Sequence, residues 1–379
     1  MTSASFLRAD GTPFATLGFE RVSIRRLRNI EHIELEPAPR LNVVVGDNGQ
    51  GKTSLLEALY LVATTKSFRS ERLAPMVKTG AEQAQVTASI VESGARREQR
   101  SIVSPERRSV LLDGKHPSSL AAYATKTPVV AFHPADLELV SGPASPRRTL
   151  LDRVALFVDP PGAAARARYQ RALRSRQAAL EERGPAAREL LALEGVMADE
   201  GARLALARKR AWTALEERLG PALQDVASPE YRVTAHYVAG GPTDRAEFAA
   251  RLSETRALDL RRGMATLGPQ RDEIELAVDG RAARQHASQG QQRLITLALK
   301  FAELECVRAA RGAHPVLLLD DVSSELDPER TRAVARWLRG SKSQIFVTTT
   351  RRDLFLDSGI DASDRRDFRL VSGALEIGP

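Results

Sequence analysis

The pattern of hydrophobic and polar residues divides the chain into three parts. After a weakly patterned start at residues 1–17, hydrophobic and polar residues alternate over 19–35 and in three short segments within 85–112, which predicts an antiparallel sheet. From residue 147 to about 223, Ala, Leu, Arg and Glu recur at helical spacing, which predicts two or three charged helices of fewer than about 35 residues each. These helices can pair as a short antiparallel hairpin or pack as an ordinary bundle, and they are too short for a long coiled-coil arm.

The last third of the chain alternates short apolar strands with helices. Strands are predicted at 273–278, 316–319 and 344–348, with helices after Gly290 and at 329–338. This order is typical of a parallel α/β sheet.

A glycine-rich loop between the apolar strand 41–45 and a helical stretch at 54–63 carries the first recognisable chemistry. The loop and the residue after it are Gly46, Asp47, Asn48, Gly49, Gln50, Gly51, Lys52, Thr53 and Ser54. Glycines let the backbone wrap around phosphate oxygens, and the helix N-terminus offers free N–H groups and a positive dipole end. In such a loop Lys52 reaches the β- and γ-phosphates and Thr53 holds Mg²⁺. A glycine-rich turn without a ligand is the alternative, but the flanking strand and helix favour ATP or GTP binding.

Two carboxylates follow the apolar strand 316–319. The carboxyl ends of parallel strands meet at one edge of a sheet, where phosphates bind. We expect Asp320 to complete the Mg²⁺ shell opposite Thr53, and Asp321 to orient or deprotonate the water that attacks the γ-phosphate. Two adjacent acids can instead cap the next helix, but an intact phosphate loop in the same chain favours the catalytic interpretation.

The phosphate loop and the late strands need the same kind of sheet, so the two outer parts of the chain are expected to form one α/β lobe around an inserted helical lobe. The expected boundaries are 18–150 with 266–379 for the outer lobe, 151–265 for the insertion and 1–17 for an N-terminal extension.

Composition narrows the classes of function. The 379 residues carry 56 Lys and Arg against 48 Asp and Glu, and the net charge of +8 favours an acidic partner such as nucleic acid over an acidic small substrate. A basic but unspecialised surface is the alternative, because net charge does not show whether the charges cluster. Arginine clusters at 96–100, 107–108 and 166–176 can follow a phosphate backbone or form solvated faces. The single Cys306 excludes an intramolecular disulfide, the histidines show no metal-ligand spacing, and no stretch is apolar enough to span a bilayer. We therefore expect a cytoplasmic protein without a membrane partner.

A second motif opens the helix after residue 288, and it consists of Ser288, Gln289, Gly290 and Gln291. Serine at a helix start is most often an N-cap. The motif also resembles the signature of ATP-binding-cassette (ABC) ATPases, in which serine, glycine and the helix N-terminus contact the γ-phosphate held by a second subunit. From about residue 19 to 371 the chain resembles the RecF family of bacterial recombination mediators, through this motif and through KSFR at 66–69, FHPADL at 132–137, LGPQRD at 267–272 and LLLDDVSSELD at 317–327.

The resemblance implies an ABC-type ATPase lobe like the heads of Rad50 and of structural-maintenance-of-chromosomes (SMC) proteins. An antiparallel β subdomain and an inserted, mainly helical lobe with a short arm complete this α/β fold. ATP and Mg²⁺ are the implied cofactors. By the same resemblance Arg28 and Asn29 contact the nucleotide, and Ser324 and Asp327 belong to a loop that communicates across a dimer.

The function implied by the resemblance is recombinational repair. ATP would drive a head-to-head homodimer that clamps duplex DNA and junctions of single- and double-stranded DNA. Slow hydrolysis would then release the clamp, and RecR and RecO would assist in loading RecA at gaps.

Three positions depart from related patterns. Gln270 stands where the family commonly has histidine, Asp321 where many cassette ATPases have glutamate, and Thr348 to Thr350 where they have a switch histidine. The last two departures are typical of RecF proteins and favour slow turnover. His133 or a neighbour is the candidate for the position of the linking glutamine.

Two other functions fit parts of the sequence. The ATPase subunit of a membrane transporter would have its signature at roughly half the separation that lies between Thr53 and Ser288 here. A non-hydrolysing scaffold would not need the complete set formed by Lys52, Thr53, Asp320 and Asp321.

Overall fold

A computed structural model describes residues 12–70, 72–226, 231–321, 340–350 and 360–377. The predicted helix at 329–338 and the loop with Ser324 and Asp327 lie outside these stretches.

The strands of the described residues are β1 (Leu17–Leu27), β2 (Ile30–Leu35), β3 (Leu41–Val45), β4 (Ala84–Glu92), β5 (Ala95–Val103), β6 (Arg108–Leu112), β7 (Val129–Phe132), β8 (Val233–Val238), β9 (Glu273–Val278), β10 (Arg281–Ala282), β11 (Val316–Leu319), β12 (Ile345–Thr349), β13 (Arg365–Val371) and β14 (Ala374–Ile377).

The α-helices are α1 (Lys52–Thr64), α2 (Leu120–Ala124), α3 (Glu138–Ser141), α4 (Ala144–Val158), α5 (Pro160–Arg183), α6 (Leu190–Val226), α7 (Arg245–Glu254), α8 (Arg256–Arg262), α9 (Ala283–His286) and α10 (Gln289–Arg311). Short 3₁₀ turns lie at Ala74–Met76, Pro134–Leu137, Pro269–Arg271 and Ala362–Asp364.

The chain divides into two compact units. The first unit comprises residues 1–136 and 307–379, and the second comprises residues 137–306. The predicted boundaries at 150 and 266, between an ATPase lobe and an inserted arm lobe, stay predictions.

A six-stranded sheet in the order β14-β13-β3-β12-β11-β7 organises the first unit. Strand β3 pairs in parallel with β12 and β13, and β11 pairs in parallel with β12 and β7. The central strands β3, β12 and β11 are buried along almost their whole length because both faces of the sheet are covered. The expected parallel α/β sheet is confirmed, and its carboxyl edge brings the residues after β3 and β11 together.

A five-stranded antiparallel sheet in the order β2-β1-β4-β5-β6 forms the other layer of the first unit. Its strands alternate as the sequence predicts: Val22 and Ile24 are fully buried, whereas Arg25 is exposed. The buried residues of this sheet join those of α1 and of the central parallel strands in one hydrophobic core. Helix α1, which begins at the phosphate loop, is therefore held by the main core of its unit.

The second unit contains the predicted helical hairpin. Helices α5 and α6 pack against each other through small and aromatic residues such as Ala165, Tyr169 and Ala202. Gly184 ends α5 with a φ of 78°, a left-handed value that favours glycine. Helix α6 has 37 residues and continues past Pro221, so the expected limit of about 35 residues was wrong. A small sheet in the order β10-β9-β8 completes this unit.

In the part of the chain that the structure describes, no helix is both long and apolar enough to cross a membrane. Cys306 is buried on α10, as expected for a core side chain, and burial raises the pKa of its thiol to about 12.

Candidate nucleotide-binding site

The phosphate loop lies between β3 and α1, as the sequence predicts. Gly51 precedes α1 with a φ of 110°, and a Cβ atom there would lie 2.9 Å from Asn29 Nδ2. A Cβ atom on Gly46 would lie 2.5 Å from the backbone oxygen of Leu370. Both positions therefore require glycine, one for its backbone conformation and both for the close approach of a neighbour.

The side chain of Lys52 binds the backbone of its own loop. Its Nζ donates hydrogen bonds to the carbonyl oxygens of Gly46 at 2.6 Å and Asp47 at 2.9 Å. Burial lowers the pKa of the Lys52 ammonium, and the negative charges of Asp321, Asp320 and Asp47 act in the opposite direction. The two carbonyl oxygens are neutral, so they do not compensate the positive charge of the ammonium. A bound polyphosphate could supply the compensating negative charge.

Asp320 follows β11 and meets the phosphate loop. Thr53 Oγ1 donates a hydrogen bond to Asp320 Oδ1 at 3.0 Å, and Thr348 Oγ1 on β12 donates to the same oxygen at 2.8 Å. Burial raises the pKa of the Asp320 carboxyl, and the hydrogen bonds from Thr348 and Thr53 act in the opposite direction. The carboxylate is thus held at an energetic cost that two hydroxyl groups reduce.

Thr53 and Asp320 fit a Mg²⁺ ion. Mg²⁺ prefers oxygen ligands at 2.0–2.1 Å in octahedral geometry, so adjacent ligands lie ~2.9 Å apart. The 3.0 Å between Thr53 Oγ1 and Asp320 Oδ1 matches that spacing. Among the described residues no group of three or more His, Cys, Asp or Glu side chains is able to hold a metal. A metal at this pair would therefore take its remaining ligands from phosphates and water.

Asp321 adopts an uncommon backbone conformation. Its φ is 50°, in the left-handed region that aspartate tolerates better than most residues. Its N–H donates a hydrogen bond to Thr348 Oγ1 at 2.9 Å, so one threonine holds both acids. Thr348 therefore positions the carboxylate of Asp320 and the backbone of Asp321.

Asn29 and Arg28 lie beside the loop, in the turn between β1 and β2. Asn29 Nδ2 donates to the Gly49 carbonyl at 3.3 Å, and Asn29 Oδ1 accepts a hydrogen bond from Ser54 Oγ at 2.9 Å. Arg28 does not bind the phosphate loop. Its guanidinium instead donates to both carboxylate oxygens of Glu57, at 2.8 and 2.7 Å. Asn29 thus supports the phosphate loop directly, and Arg28 anchors the turn that carries it.

Glu57 is the site residue that the sequence did not single out. It lies on α1, its side chain is fully buried, and it accepts hydrogen bonds from Arg28 and from Ser67 Oγ. Arg69 lies 3.7 Å from the same carboxylate. Ser67 and Arg69 belong to the KSFR segment. The signal in the sequence was an acid within an otherwise apolar stretch of α1, about one and a half turns after its start, together with that segment.

The predicted nucleotide-binding residues line two cavities. One of about 720 Å³ is lined by Arg28, Asn29, Asn48, Gly49, Gly51, Lys52, Thr53 and Ser54 together with Arg69, Asp320 and Asp321. A second of about 410 Å³ is lined by Gly46, Asp47 and Gln50 and by residues of β13. The phosphate loop separates the two cavities, and the larger one contains both carboxylates.

The signature motif forms the N-terminus of α10 in the second unit. Ser288 Oγ accepts a hydrogen bond from Gln291 N at 3.2 Å, and Gln291 Oε1 accepts one from Ser288 N at 2.8 Å, which is a reciprocal capping box. Ser288 and Gln289 are exposed, and Gly290 is half-buried. Because the Ser288 hydroxyl only accepts in this cap, its O–H remains available as a donor.

The structure also shows the contacts of Gln270, which departs from the family pattern, and of His133, the candidate for the linking glutamine position. Gln270 lies in the second unit, where its Oε1 accepts a hydrogen bond from Tyr169 OH and its Nε2 donates to the Leu267 carbonyl at 2.8 Å. His133 stacks on Phe68, with ring centroids 4.9 Å apart, and lies 3.4 Å from Asp136. Gln270 therefore stabilises its own segment, and His133 follows β7 in the first unit.

Comparisons with known proteins agree with this geometry. The family model described as the RecF/RecN/SMC N terminal domain matches residues 19–363. A DNA replication and repair protein RecF from Anaeromyxobacter sp. (strain Fw109-5) is 42% identical over 342 residues, which cover 88% of this chain and 92% of the relative. The protein of the same name from Geobacter sulfurreducens is 36% identical over 362 residues, covering 93% of this chain and 98% of the relative.

Solved structures support the fold assignment. The structure of "the recombination mediator protein RecF-ATPrS in RecFOR pathway" is similar with a TM-score of 0.85 and 25% identity, covering 97% of this chain and 99% of that chain. The Smc head domain from Pyrococcus furiosus is similar with a TM-score of 0.54 and 16% identity, covering 96% of each chain, and shows the fold alone. The predicted fold class, an ABC-type head of the RecF and SMC kind, is confirmed.

Asp320→Asn tests the buried carboxylate. Because the pKa of Asp320 is raised in the folded protein, its ionised form costs stability at neutral pH, and this cost disappears as pH falls through the raised pKa. Asparagine keeps an oxygen acceptor for Thr53 and Thr348 but removes the charge. We expect the nucleotide-free variant to unfold ~1–3 °C higher at neutral pH and to bind Mg²⁺-ATP at least about tenfold more weakly.

Thermal unfolding and a titration with labelled ATP measure the two effects separately. Wild-type affinity for Mg²⁺-ATP together with a lower unfolding temperature would contradict the assignment of Asp320 as a metal ligand.

Proposed function

The chain belongs to the RecF family, and on this basis we propose that it is an ATP-dependent DNA-binding ATPase of recombinational repair and replication restart. The observation that carries the proposal is the hydrogen bond between Thr53 of the phosphate loop and Asp320 of β11, within a cavity that Lys52 also lines. A carboxylate and a phosphate loop in contact at the carboxyl edge of a parallel sheet are the parts that ATP hydrolysis requires.

ATP binding is proposed to use the loop as it stands in the structure. The N–H groups at the start of α1 face the phosphates, Lys52 contributes its positive charge, and Asn29 fixes the loop through Gly49 and Ser54. Thr53 and Asp320 would hold Mg²⁺, which neutralises charge on the phosphates when it is bound. Arg28 is proposed to act through the turn that it anchors on Glu57.

Hydrolysis is proposed to depend on Asp321. Asp321 lines the same cavity as Lys52 and Thr53, and its backbone is tied to Thr348. A carboxylate in this position can orient the attacking water and accept its proton. Related cassette ATPases have a histidine, which can take up a proton, at the position of Thr348. A threonine hydroxyl cannot take up a proton near neutral pH, so we expect slow turnover.

Dimerisation is proposed to complete the ATP site from a second copy of the chain. In the capping box the Ser288 hydroxyl accepts, so its O–H and the positive dipole end of α10 would be able to bind a phosphate. An ATP held in one copy would meet this helix N-terminus in the other. The homodimer would clamp duplex DNA and strand junctions, and hydrolysis would release it. The loop with Ser324 and Asp327 is proposed to communicate across the dimer.

RecR and RecO are the proposed protein partners, and the loading of RecA at gaps is the proposed outcome. The support is family membership together with the RecFOR pathway named for a similar structure. Family membership favours this function over the ATPase subunit of a membrane transporter. The nucleotide site with its two carboxylates favours an ATPase over a non-hydrolysing scaffold.

Asp321→Asn tests the catalytic assignment. Asparagine preserves the shape of the side chain but cannot accept a proton, so we expect ATP hydrolysis to slow about 10²-fold or more. ATP binding should remain because Lys52, Thr53 and Asp320 are unchanged. Single-turnover hydrolysis and ATP binding are measured on the same preparation. A wild-type rate in this variant would assign the water-activating role to another residue.

Ser288→Arg tests the dimer. The large cation would replace a small donor where a phosphate must approach, so we expect the variant to bind ATP as a monomer with wild-type affinity but to form no ATP-dependent dimer. Light scattering with ATP measures the dimer, and Ser288→Ala serves as the control for loss of the cap alone, which costs ~1 kcal/mol. Persistent ATP-dependent dimers of Ser288→Arg would show that the motif is only a helix cap.

A further inference from the structure

Three arginine clusters stand out in the sequence, and the structure separates them by their contacts. In segment 96–100 each arginine forms an ion pair with a glutamate of the same antiparallel sheet, at 2.7–3.0 Å. In segment 107–108, Arg108 donates to the backbone of Thr65, which leaves Arg107 as the exposed member. These two clusters therefore offer few side chains for an external anion.

Helix α5 carries the third cluster, and part of it is structural. Residues 160–180 contain five arginines and no acid. Arg176 is fully buried and forms ion pairs with Asp259 at 2.7 Å and Glu194 at 2.9 Å. Arg166 and Arg168 pair with acids of α4 and α6 at 2.9 and 2.8 Å. Arg176 therefore stabilises the interior of the second unit, whereas Arg166 and Arg168 form ion pairs near its surface.

Arg171 and Arg174 differ from their neighbours. Both are exposed, and neither forms an ion pair within the described parts of the chain. They lie three residues apart on one face of α5, and apart from Arg168 the other exposed residues of that face are Ala or Ser. We call this surface the α5 face, and its exposed residues are Ala164, Ala167, Arg168, Arg171, Arg174, Ser175 and Ala178.

The charges around the α5 face favour an anionic partner. The next acids along the helix are Glu181 and Glu182, beyond its last small residue. Glu200 on α6 is 11% exposed and already bound to Arg168 at 2.8 Å. From Ala164 to Ala178 the face extends ~21 Å at the helical rise of 1.5 Å per residue. That length corresponds to about six phosphates along one strand of a duplex.

We propose that the α5 face binds the sugar–phosphate backbone of duplex DNA. Each guanidinium can bind a phosphate through two N–H groups, and small side chains allow the helix to approach a broad polyanion closely. The contacts are to phosphates, so they contribute affinity and position without reading the base sequence. The inference rests on the proposed function for the identity of the polyanion, but it assigns the contact to one helix face.

The test uses the double variant Arg171→Gln/Arg174→Gln. Binding of a fluorescent duplex is measured by anisotropy with Mg²⁺-ATP over a series of salt concentrations. We expect affinity to fall about tenfold or more and the slope of log K against log salt to decrease by about two for each protomer in contact. ATP affinity and the unfolding temperature should equal those of the wild type because both residues are exposed and unpaired.

Arg107→Gln/Lys115→Gln is the matched control, since it removes the same charge from exposed positions of the first unit. It should bind duplex DNA almost as the wild type does. Wild-type affinity and slope in the α5 variant, or an equal loss in the control, would overturn the proposal and leave the proposed function intact. A wild-type chain that binds no duplex in any nucleotide state would overturn both.

Discussion

The hydrogen bond from Thr53 Oγ1 to Asp320 Oδ1 joins residues that are 267 positions apart in the chain. It can form only because β3 and β11 lie on either side of β12 in one parallel sheet, so that both strands end at the same edge. Thr348 on the central strand donates to the same carboxylate oxygen and accepts from the next backbone N–H. The sheet order thus fixes the geometry of the site, and the site would be lost if any of these three strands moved.

The sequence predicted the elements better than the contacts between them. Strands β3, β4, β9 and β11 follow from apolar runs or strict alternation, which depend on burial of one or both faces. Strand β8 was missed although its Val, Thr and Tyr residues favour a strand, because its residues are half-buried or exposed and show no clear apolar face. The predicted helical segment ended at about residue 223, whereas α6 continues to Val226 although Gly220 and Pro221 are poor helix formers. The region 322–339 lies outside the described residues, so its predicted helix and loop remain predictions.

Some residues of the nucleotide site were predictable from the sequence and others were not. The phosphate loop and both acids were predicted because their chemistry is local to two short segments. Glu57 was missed because its importance depends on Arg28 and Ser67, which approach it from other parts of the chain. The role of Gln270 was also not predictable, since it depends on contact with Tyr169. Residues that bind phosphate or metal occur at a characteristic spacing that a single sequence shows. Residues that act by positioning other side chains have no such pattern, because their partners are distant in the sequence.

We propose that ATP at this site, and not ADP, brings two copies of the chain together on DNA. Sedimentation velocity of the wild-type chain without nucleotide, with Mg²⁺-ADP and with Mg²⁺-ATP, each with and without duplex DNA, tests it most directly. We expect a monomer without nucleotide and with ADP, a dimer with ATP, and a larger dimer fraction when duplex DNA is added to ATP. The same sedimentation coefficient in all three nucleotide conditions, with and without DNA, would contradict it.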